Sequence, residues 1–215
     1  MKLQVHSLIT GPFQENSYIL SEMLSKDCIL IDPGDEAEKI CYFIDSNEFN
    51  PIAIINTHAH LDHIGAVQEI RNKYNIPFYL HYLEKPILES YPMSCRMFGI
   101  AAKQIPTVDN WIQEGGKLNI GAFKFSIIET PGHTPGGCCL LIEKCIFVGD
   151  TLFHGSVGRT DLPGGDWDML EESLLYLVEN VKSDVTVYPG HGIETNLRIE
   201  KKKNPFLISL KSNLN

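Results

Sequence analysis

Eight short apolar runs, rich in β-branched and aromatic residues and each bounded by Gly, Pro, Asn or Asp, constrain this chain most: residues 16–20, 28–31, 52–55, 77–80, 123–128, 138–142, 145–148 and 185–188. Each has strand length and strand punctuation. Helical spacing fills some of the gaps. Residues 36–46 follow an Asp-Pro-Gly-Asp turn and set Ile40, Phe43 and Ile44 on one face; 66–74 behaves similarly, and 83–89 also reads as helix. Residues 166–179 bring Met169 or Leu170, Leu174, Leu177 and Val178 to helical spacing. Residues 121–148 instead carry consecutive strands separated only by turns. The expectation is an α/β fold with some antiparallel pairing; a purely parallel, doubly wound sheet does not fit. With no Pro- or Ser-rich linker and no low-complexity segment, residues 1–215 read as one domain.

The charge balance narrows the partners. Eighteen Lys plus Arg stand against 27 Asp plus Glu, a net charge of −9, which argues against nucleic acid and against an anionic membrane surface. No apolar run approaches the roughly 20 residues of a membrane span. The first 16 residues lack the continuous apolar segment of a signal peptide, so a cytoplasmic location is expected. The six cysteines, Cys28, Cys41, Cys95, Cys138, Cys139 and Cys145, form no CxxC pair and sit mostly in apolar stretches. They read as reduced thiols rather than a disulfide framework.

The most informative segment is Thr57-His58-Ala59-His60-Leu61-Asp62-His63, directly after the run 52–55. Four potential ligands within six residues are hard to explain by packing, because unpaired His and Asp beside a core cost several kcal/mol. Imidazole and carboxylate together suit Zn, Fe or Mn, and the absence of nearby Cys argues against a closed structural zinc site. His58 and His60 are two residues apart and face one side of an extended segment, while Asp62 and His63 fall where a helix begins. A plain solvated turn with Asp62 as its cap is the competing reading.

Three further runs end in a tight turn that delivers a ligand-type residue. Run 123–128 leads into Glu129-Thr130-Pro131-Gly132-His133, run 145–148 into Gly149-Asp150, and run 185–188 into Pro189-Gly190-His191. Loops at strand ends on a rigid sheet are where α/β proteins place their sites. Five His and two carboxylates at four strand ends are enough for two metal ions.

In order along the chain, THAHLDH, PGHTPGG, GDTLF, GRTDLPGGD and YPGHG span residues 57–192, and Asp32-Pro33-Gly34 ends the second apolar run. This set resembles the ordered motifs of the metallo-β-lactamase superfamily, and within it the glyoxalase II branch: hydroxyacylglutathione hydrolases and their short bacterial relatives. The resemblance implies an αββα four-layer sandwich of two mixed β-sheets. It implies a first metal on His58, His60 and His133, a second on Asp62, His63 and His191, and Asp150 bridging both. Zn is the foremost expectation, with Fe or Mn possible. The implied reaction is hydrolysis of a small-molecule thioester, such as a hydroxyacyl glutathione conjugate, by a hydroxide shared between the ions. Such a water is acidified strongly toward neutrality, and Asp62 guides its proton. A thiolate leaving group needs little protonation.

Other readings remain open. A persulfide dioxygenase keeps the same motifs with one iron on two His and one Asp; lactonase, β-lactamase or other ester hydrolase activity, or a non-catalytic metal-binding module, stand further off. Longer glyoxalase II enzymes carry an additional helical domain that supplies much of the glutathione pocket, which this sequence is expected to lack. In its place is a basic cluster, Arg198, Lys201, Lys202 and Lys203, either a solvated helix face or an anchor for an anionic substrate through Arg198 and Lys201. Asp161, in the GRTD turn, either orients a metal-bound His or caps its turn. Asp32 is open to the same choice, with helix-start chemistry as the alternative. Residues 91–106 either line a substrate mouth or cover the core. His6, His81 and His154 lack ligand neighbours and read as surface or hydrogen-bonded residues.

Overall fold

The computed structural model describes residues 2–213, which gather into two compact units. The first comprises residues up to Gln113 together with Asn119–Ala122, and the second Glu114–Leu118 together with residues from Phe123 onward.

The first unit is built on a six-stranded mixed sheet: β1 (Leu3–Thr10), β2 (Glu15–Glu22), β3 (Asp27–Ile31), β4 (Asn50–Ile55), β5 (Phe78–His81) and β6 (Asn110–Ile112), in that spatial order. The first three pair antiparallel and the last four run parallel. Parallel neighbours need crossovers, and helices supply them: α1 (Ala37–Ser46) between β3 and β4, α2 (Leu61–Ile64) and α3 (Val67–Tyr74) between β4 and β5, and α4 (Lys85–Glu89) and α5 (Tyr91–Met97) before β6. Ile40 and Ile44 of α1 and Val67 and Ile70 of α3 pack with Leu30, Ile54 and Phe78 of the sheet. Each such fully buried side chain contributes about 1.5–3 kcal/mol.

The second unit carries the second sheet, made of β7 (Gly116–Ile120, its last two residues lying in the first unit), β8 (Phe123–Glu129), β9 (Cys138–Ile142), β10 (Cys145–Gly149), β13 (Thr186–Pro189) and β14 (Thr195–Asn196), with the spatial order β14-β13-β10-β9-β8-β7. A small hairpin, β11 (Leu152–Phe153) with β12 (Ser156–Val157), stands apart. Helices α6 (Trp167–Asn180), α7 (Leu197–Lys203) and α8 (Pro205–Asn213) complete it. Leu170, Leu174, Leu177 and Val178 of α6 bury against Ile146, Val148 and Val187, as their helical spacing predicts. The Asp166 side chain caps α6 by accepting from the Met169 amide.

Pairing directions decide where ligands emerge. β8 is antiparallel to β9, β9 is antiparallel to β10, and β10 is parallel to β13. The carboxyl ends of β8, β10 and β13 therefore share one edge of the second sheet. In the first sheet β3 and β4 are parallel, so the residues after them also share an edge. That is the edge where α/β sheets bind ligands.

Candidate metal centre

In the first unit His58, His60, Asp62 and His63 follow β4. His60, the N-cap of α2, is extended, and Asp62 and His63 lie in the single turn of that helix. The His58 ring stands 5.0 Å from that of His60 and 4.0 Å from that of His63. His58 and His63 are buried, and His60 and Asp62 are half-buried. The segment is pinned from both sides: the Asn56 amide donates to the His63 carbonyl at 2.7 Å, and the buried Glu84 carboxylate accepts from the Ala59 amide at 2.8 Å.

Asp32, directly after β3, organises two of these imidazoles. Its Oδ1 accepts from the Thr57 amide at 2.7 Å. Its Oδ2 accepts from the Thr57 hydroxyl at 2.6 Å and lies 3.1 Å from His63 Nδ1. A carboxylate only accepts, so His63 Nδ1 carries the proton. The Thr57 hydroxyl proton is engaged by Asp32, so His58 Nδ1, 3.1 Å from that hydroxyl oxygen, donates as well. Asp32, His58 and His63 offer ligand atoms within 4.8 Å of one another, but both Asp32 oxygens already accept hydrogen bonds, so its part is to orient. It holds a left-handed backbone conformation, φ +49, which costs an L residue about 1–2 kcal/mol and is secured by those bonds.

In the second unit His133, Asp150 and His191 follow β8, β10 and β13. The ends are tied together by the Gly190 amide donating to the Gly149 carbonyl at 2.8 Å and by the Thr130 and Thr151 hydroxyls 3.1 Å apart. Asp150 Oδ2 lies 3.5 Å from His133 Nε2 and 3.5 Å from His191 Nε2. His133 Nδ1 is 2.7 Å from the Arg159 carbonyl, which can only accept, so this ring too carries its proton on Nδ1. Gly158 makes the approach possible, because a Cβ there would run into the Asp150 carbonyl.

Three histidines thus have Nδ1 fixed as the donor, which leaves Nε2 as the lone-pair nitrogen. This is how imidazole is presented to a metal, with the other nitrogen holding tautomer and orientation. Two Nε2 atoms converging on one carboxylate oxygen also suit a cation between donors. The residues of each unit fit metal binding.

Other sequence expectations meet a different setting. Asp161 is exposed and forms a bidentate pair with Arg159 at 2.6 and 2.7 Å; that guanidinium holds its carboxyl down at about 2. The group on His133 Nδ1 is the backbone of Arg159 instead. Lys201 donates to the Val181 carbonyl and to Ser183 Oγ, so its ammonium stands at the C-terminal end of α6, where a cation is favoured, rather than open to an anion. Arg198 is exposed on the first turn of α7. Residues 91–97 form α5, with Tyr91 and Cys95 in the core and Met93 and Met97 exposed. His6 contacts Ser21, and His154 contacts Thr195 and Glu200. The six cysteines are free thiols; burial pushes Cys28 and Cys139 up to about 12, which excludes them as nucleophiles near neutral pH.

Glu15, Glu84 and Thr57 were not legible as site residues. Glu15 is the buried first residue of β2, whose eight residues are all buried. Burial pushes its carboxyl well above the usual carboxylate range; the neighbouring His63 opposes this, and the Asp32 charge adds to it. An acidic residue abutting the apolar run 16–20 was the signal available.

The chain belongs to the metallo-β-lactamase superfamily, whose family model matches residues 10–191. It is 35% identical over 201 residues to the hydroxyacylglutathione hydrolase GloC of Haemophilus influenzae, covering 92% of this chain and 94% of that protein. Among solved structures it is similar to the B3 metallo-β-lactamase BLEG-1, with a TM-score of 0.90 and 36% identity over 95% of this chain and 99% of that one. It is also similar to TTHA1623 in a di-iron-bound form, with a TM-score of 0.86 and 38% identity over 94% of this chain and all of that one. The two mixed sheets with flanking helices are the fold expected from the motifs. Among the described residues, no helix is long and apolar enough to cross a membrane.

Proposed function

We propose that this chain is a binuclear metal-dependent hydrolase of small-molecule thioesters, of the glyoxalase II type. The observation that carries the reading is Asp150 Oδ2 standing 3.5 Å from the Nε2 atoms of both His133 and His191, which supports a carboxylate shared by two cations. The resemblance to GloC over nearly its whole length supports the substrate class. Likeness to a di-iron protein supports two ions and admits iron beside zinc.

In this reading His58, His60 and His133 hold one ion, Asp62, His63 and His191 hold the other, and Asp150 serves both. Bound there, the ions supply an acidified water and polarise the carbonyl. Asp62 guides the water's proton. The water oxygen adds to the acyl carbon, the carbon–sulfur bond breaks, and sulfur leaves as a thiolate. Because thiols titrate near 8.5, that departure needs no dedicated acid. Asp32 and Thr57 keep the His58 and His63 protons on Nδ1 throughout. Arg198, exposed on α7, remains available to an anionic group of the substrate, and the work takes place in the cytoplasm.

The test is hydrolysis of S-D-lactoylglutathione by metal-loaded protein, followed as loss of the thioester. The reading expects a chelator-sensitive kcat/KM of about 10⁴ M⁻¹s⁻¹ or more, the lower end of ordinary enzymes. The likeness to BLEG-1 favours β-lactam hydrolysis as the second reading. A chelator-sensitive rate on a β-lactam, with none on the thioester, would put that second reading first.

A further inference from the structure

Glu15 is a buried carboxyl that the reaction leaves without a part. Its Oε2 accepts from two hydroxyls, Thr10 at 2.9 Å and Ser17 at 2.9 Å. Each hydroxyl oxygen in turn accepts a backbone amide from the turn after β3: Asp35 N to Thr10 at 3.2 Å, and Gly34 N to Ser17 at 3.1 Å. That turn begins with Asp32. Gly34 packs so closely on the Asp62 carbonyl and on Glu15 itself that neither leaves room for a Cβ. The other oxygen, Oε1, faces His63 Nδ1 from 3.9 Å, beside Asp32 Oδ2 at 3.1 Å.

Glu15 therefore faces the His63 ring directly, holds the turn that carries Asp32 through two hydroxyls, and bears on the backbone that carries Asp62 through Gly34 of that turn. We propose that Glu15 is a positioning residue of the metal centre, which fixes the residue 32–35 turn through the Thr10 and Ser17 hydroxyls and so sets the presentation of Asp62 and His63. The proposal rests on the metal-hydrolase reading. It asks of Glu15 an acceptor for two hydroxyls and no direct contact with substrate.

The order of the relay makes this more than packing. A hydroxyl that accepts an amide still has its own proton to donate. With the acceptor removed, the two hydroxyls, 3.2 Å apart, can satisfy only one proton between them, and the other is orphaned in a buried place, which is unfavourable. The turn then has reason to move, and Asp32 moves with it. Glutamine keeps an oxygen for the hydroxyls; alanine keeps nothing.

The experiment is cobalt binding by the full-length chain, read by the visible absorption of bound Co²⁺ and by competition with a chelator. Glu15→Ala should weaken the affinity of at least one ion on the order of 10–100-fold, the range for loss of an orienting partner, and shift the absorption band. Glu15→Gln should restore both to within about threefold of wild type, again against that range. If Glu15→Ala does not fold, Ser17→Ala, which cuts one arm of the relay, should weaken binding several-fold and move the same band. An alanine variant with wild-type affinity and spectrum overturns the proposal, and so does glutamine as impaired as alanine. Wild-type protein that takes up no cobalt would instead overturn the metal-hydrolase reading beneath it.

Discussion

His58 and His63 present their Nδ1 atoms to a hydroxyl and a carboxylate, Thr57 and Asp32, whereas His133 presents its own to the carbonyl of Arg159. The first unit orients its imidazoles with side chains, backed by the buried carboxyls of Glu15 and Glu84. In the second unit, orientation comes from backbone: a carbonyl, a pair of tied strand ends, and a glycine that lets the loop close. Its own buried carboxylate, Glu200, lies elsewhere, joining the Thr195 hydroxyl, the Gly155 amide and Asn204. The lesson is that the ligand-type residues of the two units need not be sensitive to the same substitutions. A close-packed glycine should matter in both, Gly34 in the first and Gly158 in the second, whereas an orienting polar side chain should matter in the first alone.

Gly158→Ala is the most severe way to press that contrast. The added methyl meets the Asp150 carbonyl and lies 3.3 Å from His133 Nδ1. A cost of about 3 kcal/mol, the upper end for overpacking, should appear as a lower urea midpoint, together with lost metal. A variant of wild-type stability and metal content would show that the backbone does not control this half.

The paired substitutions Asp32→Asn and Asp161→Asn come next. An Asp32 amide would set N–H against N–H or O–H donors from Thr57 and His63, so metal affinity should fall on the order of 10–100-fold. Asp161→Asn leaves the Arg159 carbonyl on His133 and should change affinity less than about threefold, well short of that range. Equal losses in a chelator competition would erase the distinction between the units.

The smallest effect concerns Glu200 and pH. Burial by itself would raise its carboxyl, but hydrogen bonds led by Thr195 and the Gly155 amide outweigh burial and hold it below the usual range. A depressed folded-state value means the carboxylate stabilises the fold above the unfolded value of roughly 4.3, and that this contribution is lost as pH falls through the folded value. Glu200→Gln should therefore have a lower urea midpoint than wild type at pH 7, with the gap narrowing toward pH 3. A gap independent of pH would assign the effect to shape rather than charge.

How much of this could be read from the sequence follows the same division. The eight apolar runs became strands displaced by no more than a few residues, because each carries buried β-branched or aromatic residues. β1 went unseen: Gln4, His6 and Ser7 interrupt it, as an edge strand with one open side permits. The shortest strands, β11, β12 and β14, have two residues apiece and too little pattern to announce themselves. Within the site, His58 to His63 was legible because four potential ligands crowd one segment, and His133 and His191 because each ends a Pro-Gly-His turn. Among the orienting groups only Asp32 was legible, as one of two readings of the residue that ends the second run. A backbone carbonyl has no residue type, and Glu15 and Glu84 reach the ligands only through the pairing of distant strands and loops.

The central claim is a shared carboxylate between two metal ions, and metal content measured alongside turnover in wild type and Asp150→Asn tests it most directly. The account predicts two ions per chain in wild type, with metal content and thioester hydrolysis falling together in the variant by more than the 10–100-fold that an orienting partner costs. Unchanged metal content with full turnover in Asp150→Asn would contradict it.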